Sequence, residues 1–217
     1  AEHFRLWDRG VLAPGRRADL VVVDDLSTFH PRRVYRGGRL VSREGPPRVC
    51  PVGDRHVENT VRIDWSRVDF KIAAEGRLVR AIDLVPDQLV TASRVVAAPV
   101  VNGQVLADPD RDLLKIAVIE RHRASGRVGL GFVSGFGLKR GAIASTVAHD
   151  HHNLLVVGAA DLSMLAAARA VARVGGGQAV VLGQEVIALL PLPIAGLMSK
   201  EPAERVAEQH LALTAAA

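Results

Sequence analysis

The chain is poor in cysteine and in aromatic residues. Cys50 is the only cysteine among 217 residues, so an internal disulfide is excluded and a reducing compartment, the cytoplasm, is expected. Phenylalanine, tryptophan and tyrosine make up 4% of the sequence, so the core must consist mainly of Val, Leu, Ile and Ala. The same scarcity leaves no aromatic platform on which nucleic-acid bases could stack.

Long apolar segments and dense clusters of charge are also missing. No segment reaches the roughly 20 apolar residues that span a bilayer, and the longest candidate, 188–198, contains Pro191 and Pro193. The formal net charge is +5, and the arginines between 32 and 43 are interrupted by apolar residues, which is typical of the polar face of a strand. We therefore expect neither a membrane nor a nucleic acid as a partner.

Short apolar runs separated by turn residues predict several β-hairpins. Asn102-Gly103 lies between two apolar runs and is a strong signal for a two-residue hairpin turn. The apolar segments 113–120 and 128–133 are close enough in sequence to form a second antiparallel pair. These patterns predict a domain built largely on antiparallel strands.

Two segments near the C-terminus have the spacing of helices. In the first, Asp161 is the predicted N-cap of a run with apolar residues on one helical face. In the second, Ser199 is the predicted cap, and Pro202 is placed in the first turn. Together with the hairpins, these helices make the predicted fold class mixed α+β.

The chain divides into two predicted domains. The first, 1–48, contains short strands and a Gly37-Gly38 hairpin signal. The second, 49–217, holds the remaining strands and both helices. The boundary is placed in a polar, irregular segment that follows two prolines.

The stretch 131–153 combines glycines with groups that carry proton or metal chemistry. It holds four glycines and ends in the polar run His149, Asp150, His151, His152 and Asn153. A carboxylate beside imidazoles can orient a tautomer, hold a metal or relay a proton. The alternative is a polar loop that ends one strand and begins the next. No further Cys or His lies near enough in sequence to complete a metal site within this cluster.

The glycines at 135–141 could suggest a phosphate-binding loop, but we expect a structural role for them. They lack the Lys-Ser/Thr ending of a P-loop and the dinucleotide fingerprint. Close packing of the backbone is the simpler explanation, with Lys139 and Arg140 at a surface or an interface.

Two sets of segments resemble known families. Residues 8–26, with the pattern Pro-Gly-x-x-Ala-Asp-Leu-Val, resemble the closing segment of amidohydrolase-superfamily enzymes, in which the chain leaves the barrel and completes a small β-sandwich. Segments 112–122, 131–153 and 190–199 resemble the C-terminal domain of bacterial adenine deaminases. Two departures are His151, where a small Ser is expected, and Thr146, where Ser is usual.

The resemblance implies an enzyme of which this chain is one part. Adenine deaminases convert adenine and water to hypoxanthine and ammonia, and the resemblance implies a binuclear Mn or Fe centre with ligands on an eight-stranded barrel. The 217 residues are too few to contain that barrel, so the chain is expected to be a C-terminal fragment, inactive alone. The expected partners are adenine, the missing barrel and further copies of the protein.

The resemblance also directs attention to particular side chains. We predict His149, Asp150 and His152 as catalytic residues on a loop that faces the pocket. We predict Lys139, Ser145 and Asn153 as substrate-binding residues, and no metal ligand in this chain. The alternative function is a folding or oligomerisation domain of an amidohydrolase that takes no part in the chemistry.

Overall fold

A computed structural model describes residues 1–43 and 60–217. The chain forms two compact units, 1–54 and 55–217. The domain boundary predicted after residue 48 lies outside the described residues and stays a prediction. Cys50 also lies outside the described residues.

The first unit contains a three-stranded antiparallel sheet. Its strands are β1 (Leu20–Val23), β2 (Pro31–Arg36) and β3 (Arg39–Arg43), in that spatial order. The predicted Gly37-Gly38 turn joins β2 to β3, and both glycines have positive φ, 55° and 76°, as a type I′ turn requires. No residue in 1–43 is buried, so the described part of this unit has no core of its own.

The second unit is built on an eight-stranded sheet. The further strands are β4 (Ile72–Ala73), β5 (Leu78–Leu84), β6 (Thr91–Ala97), β7 (Val100–Val101), β8 (Gln104–Val105), β9 (Leu114–Ile119), β10 (Val128–Ser134), β11 (Ala142–Ser145), β12 (Leu154–Gly158), β13 (Gly177–Leu182) and β14 (Glu185–Pro191). The helices are α1 (Asp161–Arg173) and α2 (Ala203–Ala216). The large sheet has the order β14-β13-β11-β12-β9-β10-β5-β6, and β4, β8 and β7 form a small sheet. This architecture confirms the mixed α+β class and the two helices.

Most strand pairs are antiparallel, as the hairpin signals predict. Asn102 and Gly103 have φ of 50° and 74° and join β7 to β8, and β9 pairs antiparallel with β10 from Val128 opposite Ile119. The parallel pairing of β10 with β5 was not predicted, because it joins strands more than 40 residues apart in sequence.

The two helices cover opposite faces of the large sheet. On β13, Ala179 and Val181 belong to the core beneath α1, whereas Val180 belongs to the cluster that contains Leu213 of α2. Because successive strand residues point to opposite faces, this alternation separates the two layers. Within residues 1–43 and 60–217, neither α1 nor α2 has the length and apolar composition of a membrane-spanning helix.

Both predicted helix caps are wrong. Asp161 is the first residue of α1, not its cap, and the Ala160 side chain supplies no capping hydrogen bond. The Asp161 carboxylate instead accepts from Lys115 Nζ at 2.7 and 3.0 Å. At the second helix, Ser199 Oγ accepts from the Glu201 amide, but α2 begins only after Pro202, because proline disfavours helical geometry for the residue that precedes it.

Candidate functional site

The predicted site residues lie at two ends of strand β11. The loop 146–153, which carries the histidines, joins β11 to β12, whereas the loop 135–141 leads from β10 into the start of β11. Four strand residues separate the two loops by about 13 Å. The structure therefore brings Ser145 and Asn153 to the histidine end and leaves Lys139 at the opposite end, where Lys139 Nζ donates to Pro109 O at 3.0 Å.

The tip of the histidine loop is open to solvent. The side chains of His149 and Asp150 are 93% and 81% exposed, and His149 Nε2 lies 3.3 Å from Asp150 Oδ1. An ion pair this exposed contributes little to stability, at most about 1 kcal/mol when the imidazole is protonated. The pair is thus free to meet a group that approaches the loop from outside this unit.

The base of the loop is a tight turn with strained backbone. The His151 and His152 amides both donate to Ala148 O, at 3.1 and 2.7 Å, and His152 has a φ of 47°. His151 Nδ1 accepts from the Asn153 amide at 3.0 Å, so this nitrogen carries no proton in the neutral ring. The imidazole of His151, the residue without a predicted role, therefore stabilises the turn.

Two hydroxyl groups hold the start of the loop, where the chain leaves β11. Thr146 is fully buried, and its Oγ1 donates to Gly196 O at 2.6 Å while accepting from the Gly177 amide at 2.8 Å. Ser145 Oγ accepts from the Val147 amide at 3.0 Å. Because Thr146 needs only a hydroxyl for these bonds, Thr in place of Ser preserves the arrangement.

Arg121 joins three separate segments beneath the loop. The side chain is 1% exposed. Its guanidinium donates to His152 O at 2.5 Å, to Thr60 Oγ1 at 3.0 Å and to Ala195 O at 3.0 Å. Burial lowers the pKa of Arg121 below its ordinary value, because no carboxylate in the described part of the chain offsets the charge.

A glycine makes room for this guanidinium. A Cβ at Gly196 would lie 2.8–2.9 Å from the Arg121 guanidinium atoms, and Gly196 has a φ of 71°. Any larger residue would therefore collide with Arg121 and strain the backbone. The sequence did not lead us to predict Arg121. The one sequence signal for it is a cationic residue directly after the buried apolar run of β9 and Glu120.

Two buried polar atoms of the histidine loop have no partner among the described residues. Within the described ranges, His152 Nδ1 and Asn153 Oδ1 are buried and make no hydrogen bond. Buried polar atoms in folded proteins are nearly always satisfied, so each such atom calls for an explanation. Both lie on the loop that the sequence selects, and a ligand or a further protein segment could supply the missing hydrogen bonds.

A carboxylate on the neighbouring turn fixes the segment that follows β9. Glu120 accepts from the Arg123 amide at 2.8 Å and from the amide and hydroxyl of Ser125 at 3.0 and 2.7 Å. Burial would raise the pKa of Glu120, but these hydrogen bonds outweigh it and lower the pKa to about 2. His122, on the same turn, contacts His151 O through Nε2 at 3.1 Å, so the turn borders the histidine loop.

The described residues do not complete a metal site with the histidine loop. His149 and His151 have the His-x-His spacing of a metal-binding pair. Nevertheless, residues 1–43 and 60–217 contain no group of three His, Cys, Asp or Glu side chains arranged to hold a metal ion. A pair of imidazoles alone falls short of the three protein ligands of a catalytic zinc-type site.

Comparison with known proteins gives a consistent result. Residues 88–217 match the family model described as the adenine deaminase C-terminal domain. The chain is 49% identical over 211 residues to an adenine deaminase of Desulfatibacillum aliphaticivorans, covering 96% of this chain and 37% of that protein. It is 45% identical over 212 residues to adenine deaminase 2 of Carboxydothermus hydrogenoformans, with the same coverage. It is 44% identical over 220 residues to an adenine deaminase of Brucella anthropi, covering 100% of this chain and 38% of that protein. The chain thus spans a little over one third of the length of these relatives.

Proposed function

This chain belongs to the adenine deaminase family, and from that premise we propose that it is the C-terminal portion of an enzyme that hydrolyses adenine to hypoxanthine and ammonia. The observation that carries the proposal is the identity of 44–49% along nearly the whole chain with three proteins called adenine deaminases. The mixed α+β unit that carries the family match is consistent with it.

We place the metal centre outside this chain. The described residues do not fit a binuclear manganese or iron centre, since they contain no group of three candidate ligands. The remaining portion of the enzyme, roughly the other two thirds by comparison with the relatives, is the proposed location. The roles that we propose for residues of this chain do not involve the metal.

We propose that the histidine loop borders the adenine pocket. His149 and Asp150 are exposed at its tip, and His152 Nδ1 and Asn153 Oδ1 are buried without partners at its base. Adenine has ring nitrogens that accept hydrogen bonds and a 6-amino group that donates them. Asn153 Oδ1 can therefore accept from the amino group, and a protonated imidazole can donate to a ring nitrogen.

Proton transfer is the role we propose for the imidazoles. Imidazole groups such as those of His149 and His152 can act as general acids or bases, and Asp150 can orient His149 from its distance of 3.3 Å. Ser145 lies at the same end of β11 and belongs to the proposed set. Lys139 lies at the other end and is left out of it.

The second candidate, a folding or oligomerisation domain, has one observation in its favour. Apolar side chains in the first unit are exposed, including Trp7 at 62% and Leu26 at 84%. Single exposed apolar residues are ordinary, but several in residues 1–43, none of which is buried, indicate a surface that another segment covers. We propose that the enzyme works as a homo-oligomer in the cytoplasm, where a single cysteine stays reduced.

A chimera tests the proposed function. The matching segment of the Desulfatibacillum aliphaticivorans protein would be replaced by this chain, and ammonia release from adenine would be measured. We expect the chimera to be active and the same relative truncated before this segment to be inactive. A folded, metal-loaded chimera without activity would overturn the proposal.

Loop variants of the active chimera then separate the two candidate functions. We expect His149→Ala, Asp150→Asn and His152→Ala each to lower turnover about 100-fold, the lower limit of the range for general acid–base groups, with an unchanged melting temperature. His210→Ala, on the exposed surface of α2, is the matched control. If all three loop variants keep the rate of the control, the loop is structural and the chain serves folding or assembly.

A further inference from the structure

Three arginines converge on a groove that the proposed reaction does not use. The groove has a volume of about 540 Å³, and its lining includes Arg62, Ile63, Trp65, Arg169 and Arg173. We call it the arginine groove. Its volume lies within the range of small-molecule sites, roughly 300–1,000 Å³.

No carboxylate in residues 1–43 or 60–217 neutralises the positive charge of the arginine groove. The guanidinium groups of Arg62, Arg169 and Arg173 make no ion pair with any described residue, and all three residues are exposed. The nearest carboxylate in sequence, Asp64, is engaged by the amide and hydroxyl of Ser66 at 3.1 and 2.6 Å. The three guanidinium groups therefore keep most of their hydrogen-bond donors free.

The helix places two of these charges unfavourably close. Arg169 and Arg173 are four residues apart on α1, and like charges at this spacing destabilise a helix. The helix dipole stabilises the positive charge of Arg173 in the last turn. It gives no such stabilisation to Arg169, which lies further from the helix end, or to Arg62, which lies in a different segment. An anion between the three guanidinium groups would remove the repulsion.

One arginine is already positioned. The Arg169 guanidinium lies over the Trp65 ring, 5.4 Å from its centroid, a cation–π contact that restricts the side chain. The Arg62 backbone is fixed by its amide, which donates to Arg121 O at 2.7 Å. The groove thus has partly ordered walls, which lowers the entropic cost of binding.

We propose that the arginine groove binds a small molecule that carries two or more phosphate groups. Planar guanidinium groups form paired hydrogen bonds with phosphate oxygens, and three of them match a ligand with several negative charges. The apolar wall formed by Ile63 and its neighbours leaves room for a non-phosphate part of the ligand. This inference does not depend on the proposed deaminase activity.

Fluorescence of Trp65 provides the test. The chain has two tryptophans, Trp7 and Trp65, so in a Trp7→Phe background the emission reports on the groove alone. The 217-residue chain is titrated with tripolyphosphate at constant ionic strength. We expect a saturable change in emission, weakened about 10-fold by Arg62→Gln and by Arg173→Gln, the scale of one lost charge-assisted hydrogen bond.

Two controls make the result specific. Arg140→Gln removes an equally exposed arginine from the loop 135–141, outside the groove, and is expected to leave the affinity unchanged. Arg169 is not substituted, because its contact with the indole would alter the emission directly. Circular dichroism verifies that each variant is folded, and isothermal titration calorimetry of the unmutated chain gives the affinity independently of the indole.

The ligand's source is resolved by competition. Tighter binding of ATP than of tripolyphosphate would assign a nucleotide, and equal binding would assign the phosphate groups alone; either outcome supports the site. The absence of saturable binding, equal weakening by Arg140→Gln, or binding of adenosine as tight as that of ATP would overturn the proposal.

Discussion

Replacing Arg121 by methionine tests the role of the buried guanidinium directly. The substitution keeps much of the side-chain volume but removes the donors to His152 O, Thr60 Oγ1 and Ala195 O. An unsatisfied buried acceptor costs about 1–3 kcal/mol. The substitution also removes the desolvation penalty of a buried cation that has no carboxylate partner in the described residues, which offsets part of this loss.

The balance of these effects gives an expected loss in the free energy of unfolding of roughly 2–4 kcal/mol. Domains are typically stable by about 5–15 kcal/mol, so the Arg121→Met variant should still fold. Urea denaturation followed by circular dichroism measures the loss. Hydrogen exchange should show the His151 and His152 amides less protected, because their turn is held through the His152 carbonyl.

Two further variants complete the Arg121 experiment. Arg121→Lys keeps the charge without the planar fork and should recover less than half of the loss. Arg140→Met, on an exposed loop, should change stability by no more than about 0.5 kcal/mol. An Arg121→Met loss below about 1 kcal/mol, with unchanged protection of the loop amides, would refute the account of Arg121 as the residue that holds three segments together.

Three other measurements follow from the structure. Asp161→Asn leaves Lys115, which is 2% exposed, without a carboxylate partner and should lower the free energy of unfolding by about 2–4 kcal/mol, measured by urea denaturation. Lys115→Met removes the buried charge itself and should cost less than Asp161→Asn. A larger loss for Lys115→Met than for Asp161→Asn would contradict this expectation. The pKa of Glu120 falls from 4.5 to about 2 on folding, so its contribution to the free energy of unfolding is present above pH 4.5 and is lost as the pH falls towards 2. After allowance for solvent screening, the stability difference between the unmutated chain and Glu120→Gln should shrink by roughly 1–2 kcal/mol across this range. A stability difference that does not change with pH would be inconsistent with the hydrogen bonds of Glu120. The exposed apolar residues of the first unit predict self-association in sedimentation velocity, and a sedimentation coefficient that stays that of a monomer over a 100-fold concentration range would argue against it.

Local turn chemistry made much of the second unit predictable. Asn102-Gly103 specifies its hairpin because both residues tolerate positive φ, and the pair β9 and β10 follows from two apolar runs joined by a short polar turn. Strand β11 was missed because Ala142–Ser145 is short, rich in alanine and preceded by glycines, so its β propensity is weak. Without β11, the distance between Lys139 and the histidine loop could not be inferred.

Long-range polar contacts explain what the sequence did not reveal about the site. Arg121 bonds to residues 31, 61 and 74 positions away, and arginine is among the residues least often buried. Asp161 has the sequence signal of a cap, but its carboxylate pairs with Lys115 across 46 positions, which no local pattern records. The turn bond of His151 likewise depends on a backbone conformation that only the folded loop displays.

We propose that this chain is one part of an adenine deaminase and that the metal-binding part lies outside it. The most direct measurement is ammonia release from adenine by the purified 217-residue chain with manganese or iron(II) supplied. We predict no release above the rate without protein. Sustained turnover that depends on the chain and on the metal would contradict the claim.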